Sequence, residues 1–297
     1  MPSQPNRSLP TSPLPCVICG AAAASVAHCD SVPGFDNLFE LVRCTQCGLI
    51  RTDPAPTEEA LRGYYEAYAE HMAAAGRSIM SDAEALARAQ ADISDLERFH
   101  APGRLLDIGC GGGHLLRAAA QRRWQVFGTE TSEAAIAALR REFGAEHIWP
   151  ADADVRHLAP DCNSFDAVVL RHVLEHLREP GAMLRRAREL LAPGGILFCE
   201  VPDVNALRIR LRRRPLMGQL HLWHFGAGSL RALLAHCGFE VQEIRFCDHR
   251  GPPATPWRRA ARGFRFALEN AAWRRLGVDL GANLRAYAEA CMELGQL

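Results

Sequence analysis

The stretch Leu105-Leu106-Asp107-Ile108-Gly109-Cys110-Gly111-Gly112-Gly113-His114 decides the fold of this chain. An apolar run ends in one acidic residue, and glycines then follow at alternate positions. The apolar pattern of a helix, Leu115 to Ala120, comes directly afterwards. This order predicts a buried parallel strand, a tight turn and the first turn of a helix. Because glycine has no Cβ, Gly109, Gly111 and Gly113 would let a ligand approach the backbone closely.

Two acids restrict the chemistry of that ligand. A dinucleotide fingerprint has glycine at its sixth position, where this chain has His114. Asp107, at the strand end, would repel a pyrophosphate and suit a cationic amino group. Glu130 ends the next strand-like run, where an acid can accept hydrogen bonds from both ribose hydroxyls. A ligand with a ribose, an ammonium group and no phosphate fits S-adenosylmethionine; a purely structural glycine turn is the alternative.

Strand and helix patterns alternate from residue 104 onward, which favours a parallel sheet covered on both faces. The expected strands are Arg104 to Ile108, Trp124 to Glu130, a weak one at His147 to Trp149, Phe165 to Leu170, Gly195 to Pro202, and Phe239 to Phe246. Ligands of such sheets bind at the carboxyl ends of the strands. Asp107, Glu130 and the pair Arg171-His172 all lie at such ends.

The glycine block resembles motif I of the class I S-adenosylmethionine-dependent methyltransferases. The later segments SFDAVVLRHVLEHL, LAPGGILFCEVPD and SLRALLAHCGFEV continue the resemblance in order, over roughly residues 16–250. The resemblance implies an α/β, Rossmann-like sheet of seven strands, mostly parallel, with the last strand antiparallel. We expect that last strand at Asn283 to Ala290.

The resemblance also implies roles for individual residues at the cofactor. Gly109, Gly111 and Gly113 would approach the methionine part, and Asp107 would orient its amino acid end. Glu130 would bind the ribose hydroxyls. Asp152 stands where similar enzymes bind the adenine amine, although Asp154 offers an equal carboxylate. Arg171 is placed in the same cofactor site.

A proton acceptor is needed only where the methyl acceptor carries a proton, and histidine is suited to that task. His224 is our first candidate because of its expected position on the pocket rim, followed by His221 and His172. His176 is expected to be structural. Some methyltransferases use no base, so each of these roles stays open.

Cysteines define a second unit ahead of the sheet. Cys16-Val17-Ile18-Cys19-Gly20 and Cys44-Thr45-Gln46-Cys47-Gly48 are two CxxCG knuckles. Each knuckle presents two thiolates on one tight turn, and two such turns complete a tetrahedral zinc site. The pattern resembles a zinc ribbon, and a closed four-cysteine site has no open position, so we expect structural Zn²⁺. Unrelated buried cysteines are the alternative.

The domain organisation follows from these segments. We expect a disordered tail at residues 1–15, a zinc-ribbon-like domain at 16–52, a helical lead-in at 53–102 and the methyltransferase domain at 103–297. A helix inserted at about 256–277 would place Trp257, Ala261, Phe264, Leu268 and Ala272 on one face. That face would pack on the domain, or else contact a membrane surface or a second copy.

Composition excludes several function classes. The formal net charge is zero and the 34 basic residues are all arginine. Absence of lysine excludes P-loop phosphate chemistry and Schiff-base catalysis. The proline-rich start does not resemble a signal peptide, and no apolar run is long enough to span a bilayer. We therefore expect a cytoplasmic protein. The sequence gives no indication of the oligomeric state.

The leading hypothesis is O- or C-methylation of a small molecule, such as a sugar or natural-product intermediate. Arg208, Arg210, Arg212, Arg213 and Arg214 could hold an anionic acceptor or form a solvated edge. A second hypothesis is RNA or protein methylation, with docking through the ribbon and these arginines; zero net charge makes a nucleic-acid partner unlikely. A third is a non-catalytic cofactor-binding or interaction protein.

Overall fold

The computed structural model describes residues 15–28, 40–57, 81–150, 164–204, 221–247 and 283–291, with a few further helical positions within 59–63 and 261–271. Asp152, the arginine-rich stretch 207–215 and the expected tail up to residue 14 lie outside the described residues. The strands are β1 (Ala23–His28), β2 (Glu40–Cys44), β3 (Ile50–Asp53), β4 (Arg104–Ile108), β5 (Gln125–Glu130), β6 (Ile148–Pro150), β7 (Phe165–Arg171), β8 (Leu191–Pro202), β9 (Trp223–His224), β10 (Phe239–Cys247) and β11 (Asn283–Ala290). The helices are α1 (Asp82–Leu96), α2 (His114–Gln121), α3 (Glu133–Phe143), α4 (Pro180–Leu190) and α5 (Ala227–His236), with a 3₁₀ turn at Leu174–His176.

Seven strands form one sheet in the order β10-β11-β8-β7-β4-β5-β6. The strands from β6 to β8 pair in parallel, and β11 pairs antiparallel with both β8 and β10. The predicted seven-stranded, mostly parallel sheet is therefore confirmed, with β11 at the expected residues. Because β4, β5 and β7 run in the same direction, their carboxyl ends meet at one edge of the sheet.

Local sequence explains where the helices begin. Ser81 caps α1 through a capping box with Glu84, and Ser132 accepts a hydrogen bond from the backbone of Ala135 at the start of α3. Helix α2 follows Gly113, whose φ of 76° lies in the left-handed region. Apolar residues on both faces of the central strands are buried, so the sheet carries a core on each side.

Backbone pairing joins the cysteine unit, residues 16–52, to the segment that follows β8. Strands β1, β2, β3 and β9 form a second, antiparallel sheet, and β9 comes from the segment after β8. Ile50 lies opposite His224, and Arg51 lies opposite Trp223. Ile50 also belongs to the same apolar cluster as Phe225. The domain boundary at residue 52 stays a sequence prediction. Residues on both sides of that boundary pack in one apolar cluster.

The inserted helix is represented by a few positions. Residues Ala261, Phe264, Ala267, Leu268 and Ala271 are helical. Phe264 is 68% exposed and Leu268 is 54% exposed, so the described residues do not cover the face that we expected to pack on the domain. Within the described part of the chain, no helix has both the length and the apolarity that crossing a membrane requires.

Candidate active site

The turn after β4 has the backbone form that its glycines allow. Gly109, Gly111 and Gly113 have φ values of 74°, 54° and 76°. The N–H groups of Gly109 and Cys110 both donate to the carbonyl oxygen of Thr129, each at 2.9 Å. A Cβ on Gly113 would lie 2.3 Å from Leu139 Cδ2, whereas a Cβ on Gly111 would meet nothing within 4 Å. The turn is therefore packed at its helix end and open at Gly111.

Glu130 connects this turn to the end of β5. Its Oε2 accepts a hydrogen bond from the N–H of Gly111 at 2.8 Å. Its Oε1 accepts from the N–H groups of Thr131 at 2.7 Å and Ser132 at 2.9 Å. These bonds fix the carboxylate of Glu130 beside the open part of the turn, where a ligand hydroxyl can reach its remaining lone pairs.

Asp107 supplies a buried carboxyl group below the turn. It is 3% exposed, and burial raises its pKa to about 7, although the nearby charge of Arg171 opposes the shift. Arg171, at the end of β7, donates from Nη1 to Asp92 Oδ2 of α1 at 2.7 Å. A cationic ligand beside Asp107 would favour its ionised form.

A network of buried charges, which the sequence did not reveal, adjoins Arg171 through Asp92. Glu200 of β8 is fully buried and accepts from Arg88, Asn283 and Arg285. Arg285 also pairs with Asp92. Although burial opposes it, the charges of Arg285 and Arg88 keep the pKa of Glu200 well below its usual value. Glu200 follows the apolar run Ile196-Leu197-Phe198-Cys199 of β8, and a charged residue at that place was the available signal.

His172 is held between two carboxylates just after β7. Its φ is 57°, its Nδ1 lies 3.2 Å from Glu175 Oε1, and its Nε2 lies 3.3 Å from Glu200 Oε1. Burial opposes protonation, but these two bonds raise the pKa of His172 to about 9. His172 is therefore an imidazolium at neutral pH, which leaves it no free lone pair for a proton.

His221 and His224 belong to the segment that the cysteine unit holds. His224 is 4% exposed, and burial lowers its pKa to about 3. His221 is half-buried, and burial followed by the charge of His176 lowers its pKa to about 4. Both rings are therefore neutral at pH 7. Of the two, His221 is the one that solvent reaches.

Glu175 joins the histidines of this rim. The ligand-type side-chain atoms of Glu175, His176 and His221 lie within 4.8 Å of one another, a spacing that a cation can bridge. Glu175 Oε2 is buried, and none of the residues that the structure describes gives it a hydrogen-bond partner. The backbone oxygen of Glu175 accepts from the N–H of Leu222 at 2.7 Å. The region after β7 and the segment 221–224 thus form one rim.

The four knuckle cysteines meet at one point. Sγ of Cys16 lies 3.5 Å from Sγ of Cys47, and Sγ of Cys19 lies 3.4 Å from Sγ of Cys44. Bonds of about 2.3 Å in a tetrahedral zinc site place the sulfurs about 3.8 Å apart. The N–H groups of Gln46 and Cys47 both point at Sγ of Cys44 at 3.4 Å. The donor set and its spacing therefore fit Zn²⁺.

The comparisons with known proteins agree with this geometry. The family described as "Methyltransferase domain" matches residues 79–244, more than half of the chain. A ubiquinone biosynthesis O-methyltransferase from Caulobacter sp. (strain K31) is 40% identical over 119 residues, which cover 39% of this chain and 46% of that protein. The chain thus spans about half the length, or less, of several relatives that it matches.

Another ubiquinone biosynthesis O-methyltransferase, from Xanthomonas axonopodis pv. citri (strain 306), is 30% identical over 174 residues, 54% of this chain and 71% of that protein. Among solved structures, the Burkholderia thailandensis 1,6-didemethyltoxoflavin-N1-methyltransferase superposes with a TM-score of 0.55 at 17% identity, over 84% of this chain and 97% of that chain. At that identity the likeness shows the fold alone. With the glycine turn, the sheet order and these matches in agreement, the chain belongs to the methyltransferase-domain family.

Proposed function

We propose that this chain transfers the methyl group of S-adenosylmethionine to a small-molecule acceptor. One observation carries the proposal: the buried carboxyl group of Asp107 and the fixed carboxylate of Glu130 flank a turn of three left-handed glycines at the carboxyl edge of the sheet. This arrangement matches the ammonium and ribose of the cofactor and repels a phosphate. The sulfonium is the methyl donor, so the protein has to align the acceptor and exclude water.

The two ends of the cofactor would be recognised by different residues. Asp107 would pair with the ammonium group, and Glu130 would accept hydrogen bonds from the ribose hydroxyls. Asp92 holds Nη1 of Arg171, and 21% of the Arg171 side chain remains exposed. The other N–H groups of its guanidinium would bind the cofactor carboxylate. Asp152 remains our candidate for the adenine, although it lies outside the described residues. Gly111 would contribute the open backbone against which the methionine part lies.

For an acceptor that carries a proton, we propose His221 as the base, ahead of His224 and His172. His221 is neutral and half-buried, and it lies beside the carboxylate of Glu175. His224 is enclosed, and His172 is already protonated between Glu175 and Glu200. This order differs from the sequence prediction because position on the rim does not reveal which ring is enclosed.

The acceptor class is proposed from the relatives and from charge. The matched relatives are named as O-methyltransferases, which favours a hydroxyl group over a carbon as the methylated atom. A sugar or natural-product hydroxyl is the class that we propose, with the arginines of 207–215 as a candidate contact for an anionic acceptor. The zero net charge argues against an RNA acceptor.

The four cysteines would hold one structural Zn²⁺. All four sulfurs are engaged in a closed set, so this metal would have no free position for a substrate. Its contribution would be to fix the knuckles and, through β2 and β3, the backbone that pairs with β9.

Methyl-label transfer tests the proposal. The protein and labelled S-adenosylmethionine are incubated with one acceptor in each reaction. The acceptors are 3,4-dihydroxybenzoate, a nucleotide sugar, total RNA and total protein. We expect label in a small molecule, and about a 100-fold lower kcat for His221→Gln at unchanged S-adenosylhomocysteine affinity. The matched control is His236→Gln, an exposed histidine at the end of α5. Label only in RNA or protein would overturn the acceptor class, and full activity of His221→Gln would remove its role.

A further inference from the structure

Thr52 of the cysteine unit contacts His221 and His224. It lies on β3 and is 1% exposed. Its hydroxyl donates to the carbonyl oxygen of His221 at 2.8 Å, and the same oxygen lies 3.2 Å from Nε2 of His224. Its backbone N–H donates to the carbonyl oxygen of Leu222 at 2.9 Å. Thr52 therefore contacts three groups of the segment 221–224, although it lies more than 160 positions earlier in the chain.

The hydrogen-bond inventory of Thr52 determines the tautomer of His224. A threonine hydroxyl has one proton to donate and can accept through its lone pairs. That proton is directed to the carbonyl oxygen of His221, the shorter of the two contacts. The contact with His224 must then be one in which the ring donates. His224 is therefore protonated at Nε2 and carries its lone pair on Nδ1.

We propose that Thr52 is a positioning residue for the acceptor side, which locks His224 as the Nε2–H tautomer and fixes the backbone that carries His221. The importance of this position for turnover rests on the proposed function. The segment has two further anchors, from the N–H of Leu222 to the oxygen of Glu175 and from Nε1 of Trp223 to the oxygen of Leu177, each at 2.7 Å. Both come from the turn after β7.

Thr52 thus supplies the hydrogen bonds that attach the histidine segment to the cysteine unit, alongside the pairing of β3 with β9. The other two anchors can hold Leu222 and Trp223 without it, but neither reaches the His224 ring. Loss of the hydroxyl would leave Nε2–H of His224 buried without its acceptor, which costs about 1–3 kcal/mol when a buried group is unpaired. The ring would then change its tautomer or rotate, and His221 would move with the backbone.

Nitrogen NMR of the ¹⁵N-histidine-labelled protein tests the tautomer directly. The matched variants are Thr52→Val, which keeps the shape and removes the hydroxyl, and Thr52→Ser, which keeps the hydroxyl. We expect a single Nε2–H form of His224 in the wild type and in Thr52→Ser, and a changed or mixed spectrum in Thr52→Val. A wild-type Nδ1–H form, or an unchanged spectrum in Thr52→Val, would overturn the proposal. Thr52→Ala provides the same comparison if Thr52→Val does not fold.

Kinetics with 3,4-dihydroxybenzoate as the probe acceptor provide the second readout. For Thr52→Val we expect kcat to fall about tenfold with the KM for S-adenosylmethionine unchanged, because only the acceptor side moves. Thr52→Ser should stay within about twofold of the wild type. An equal loss in both variants would overturn the positioning role. Absence of label in every small-molecule acceptor would count against the proposed function, whereas the tautomer spectra decide this inference independently.

Discussion

The cofactor side and the acceptor side of this pocket are built in different ways. On the cofactor side, the glycine turn, Asp107 and Glu130 come from two successive strands, and residues 19 to 20 positions apart make its hydrogen bonds. On the acceptor side, Thr52 meets His221 and His224 across 169 and 172 positions. The first side is a local motif that any reader of the sequence can find. The second exists only once the cysteine unit has paired with β9.

The largest effect is expected beneath the cofactor side, where distant charges support the local motif. Asp92→Ala would remove the carboxylate that binds the Arg171 guanidinium and one of the carboxylates that bind the Arg285 guanidinium. Loss of one partner of a buried ion pair costs about 3–5 kcal/mol. Urea unfolding measures this, with Asp82→Ala on the same helix as control. The Asp82 side chain is 99% exposed, so its change should cost below about 1 kcal/mol. Equal losses would contradict a supporting role for the network.

The glycine turn offers a matched pair that separates folding from binding. Gly113→Ala adds a Cβ 2.3 Å from Leu139 at a φ of 76°, so we expect a loss of about 2–4 kcal/mol in stability. Gly111→Ala meets no protein atom within 4 Å and should lose only about 1–2 kcal/mol. Its Cβ would instead stand where the cofactor is proposed to lie. Thermal unfolding measures the stability of both variants, and titration with S-adenosylhomocysteine measures their affinity. We expect Gly111→Ala to lose more affinity and less stability than Gly113→Ala.

Cofactor binding should depend on pH through Asp107. Burial raises its pKa to about 7, so the free protein holds this carboxyl protonated at lower pH. The cationic cofactor favours the carboxylate, and binding then releases the proton. Affinity should rise about tenfold per pH unit below pH 7, level off near pH 7 and fall again once the ligand's ammonium group deprotonates at about pH 8. Calorimetric titration with S-adenosylmethionine between pH 5.5 and 8.5 checks this. Asp107→Asn should bind the cofactor weakly, with an affinity that does not rise with pH below pH 7. A wild-type profile that is flat would contradict the role of Asp107.

The sequence predicted the central strands well because runs such as Leu105-Leu106 and Ala167-Val168-Val169-Leu170 are apolar by themselves, whereas the seventh strand at Asn283–Ala290 was expected from the family resemblance. It also predicted the cluster of Cys16, Cys19, Cys44 and Cys47, since each knuckle is local. It did not reveal that β3 pairs with β9, because a two-residue strand such as Trp223–His224 carries no periodic pattern.

The histidine ranking could not be settled from sequence for a related reason. His172, His221 and His224 are equal as letters, but their surroundings come from distant elements. The carboxylates of Glu175 and Glu200 stabilise the protonated form of His172, and burial against β3 encloses His224. The Arg285 and Glu200 pair was missed because charged residues near strand ends are usually assigned to the surface, whereas here the two residues lie opposite each other on β11 and β8 and are both buried.

The most direct test of this division is one variant measured on both sides. Cys44→Ser removes one proposed zinc ligand and should lower the bound zinc, as metal analysis would record. We expect this variant to bind S-adenosylhomocysteine within about threefold of the wild type, because the proposed cofactor side uses no residue of the cysteine unit. Methyl transfer should fall at least about tenfold. Loss of S-adenosylhomocysteine binding in step with zinc, in a variant that remains folded, would contradict the account.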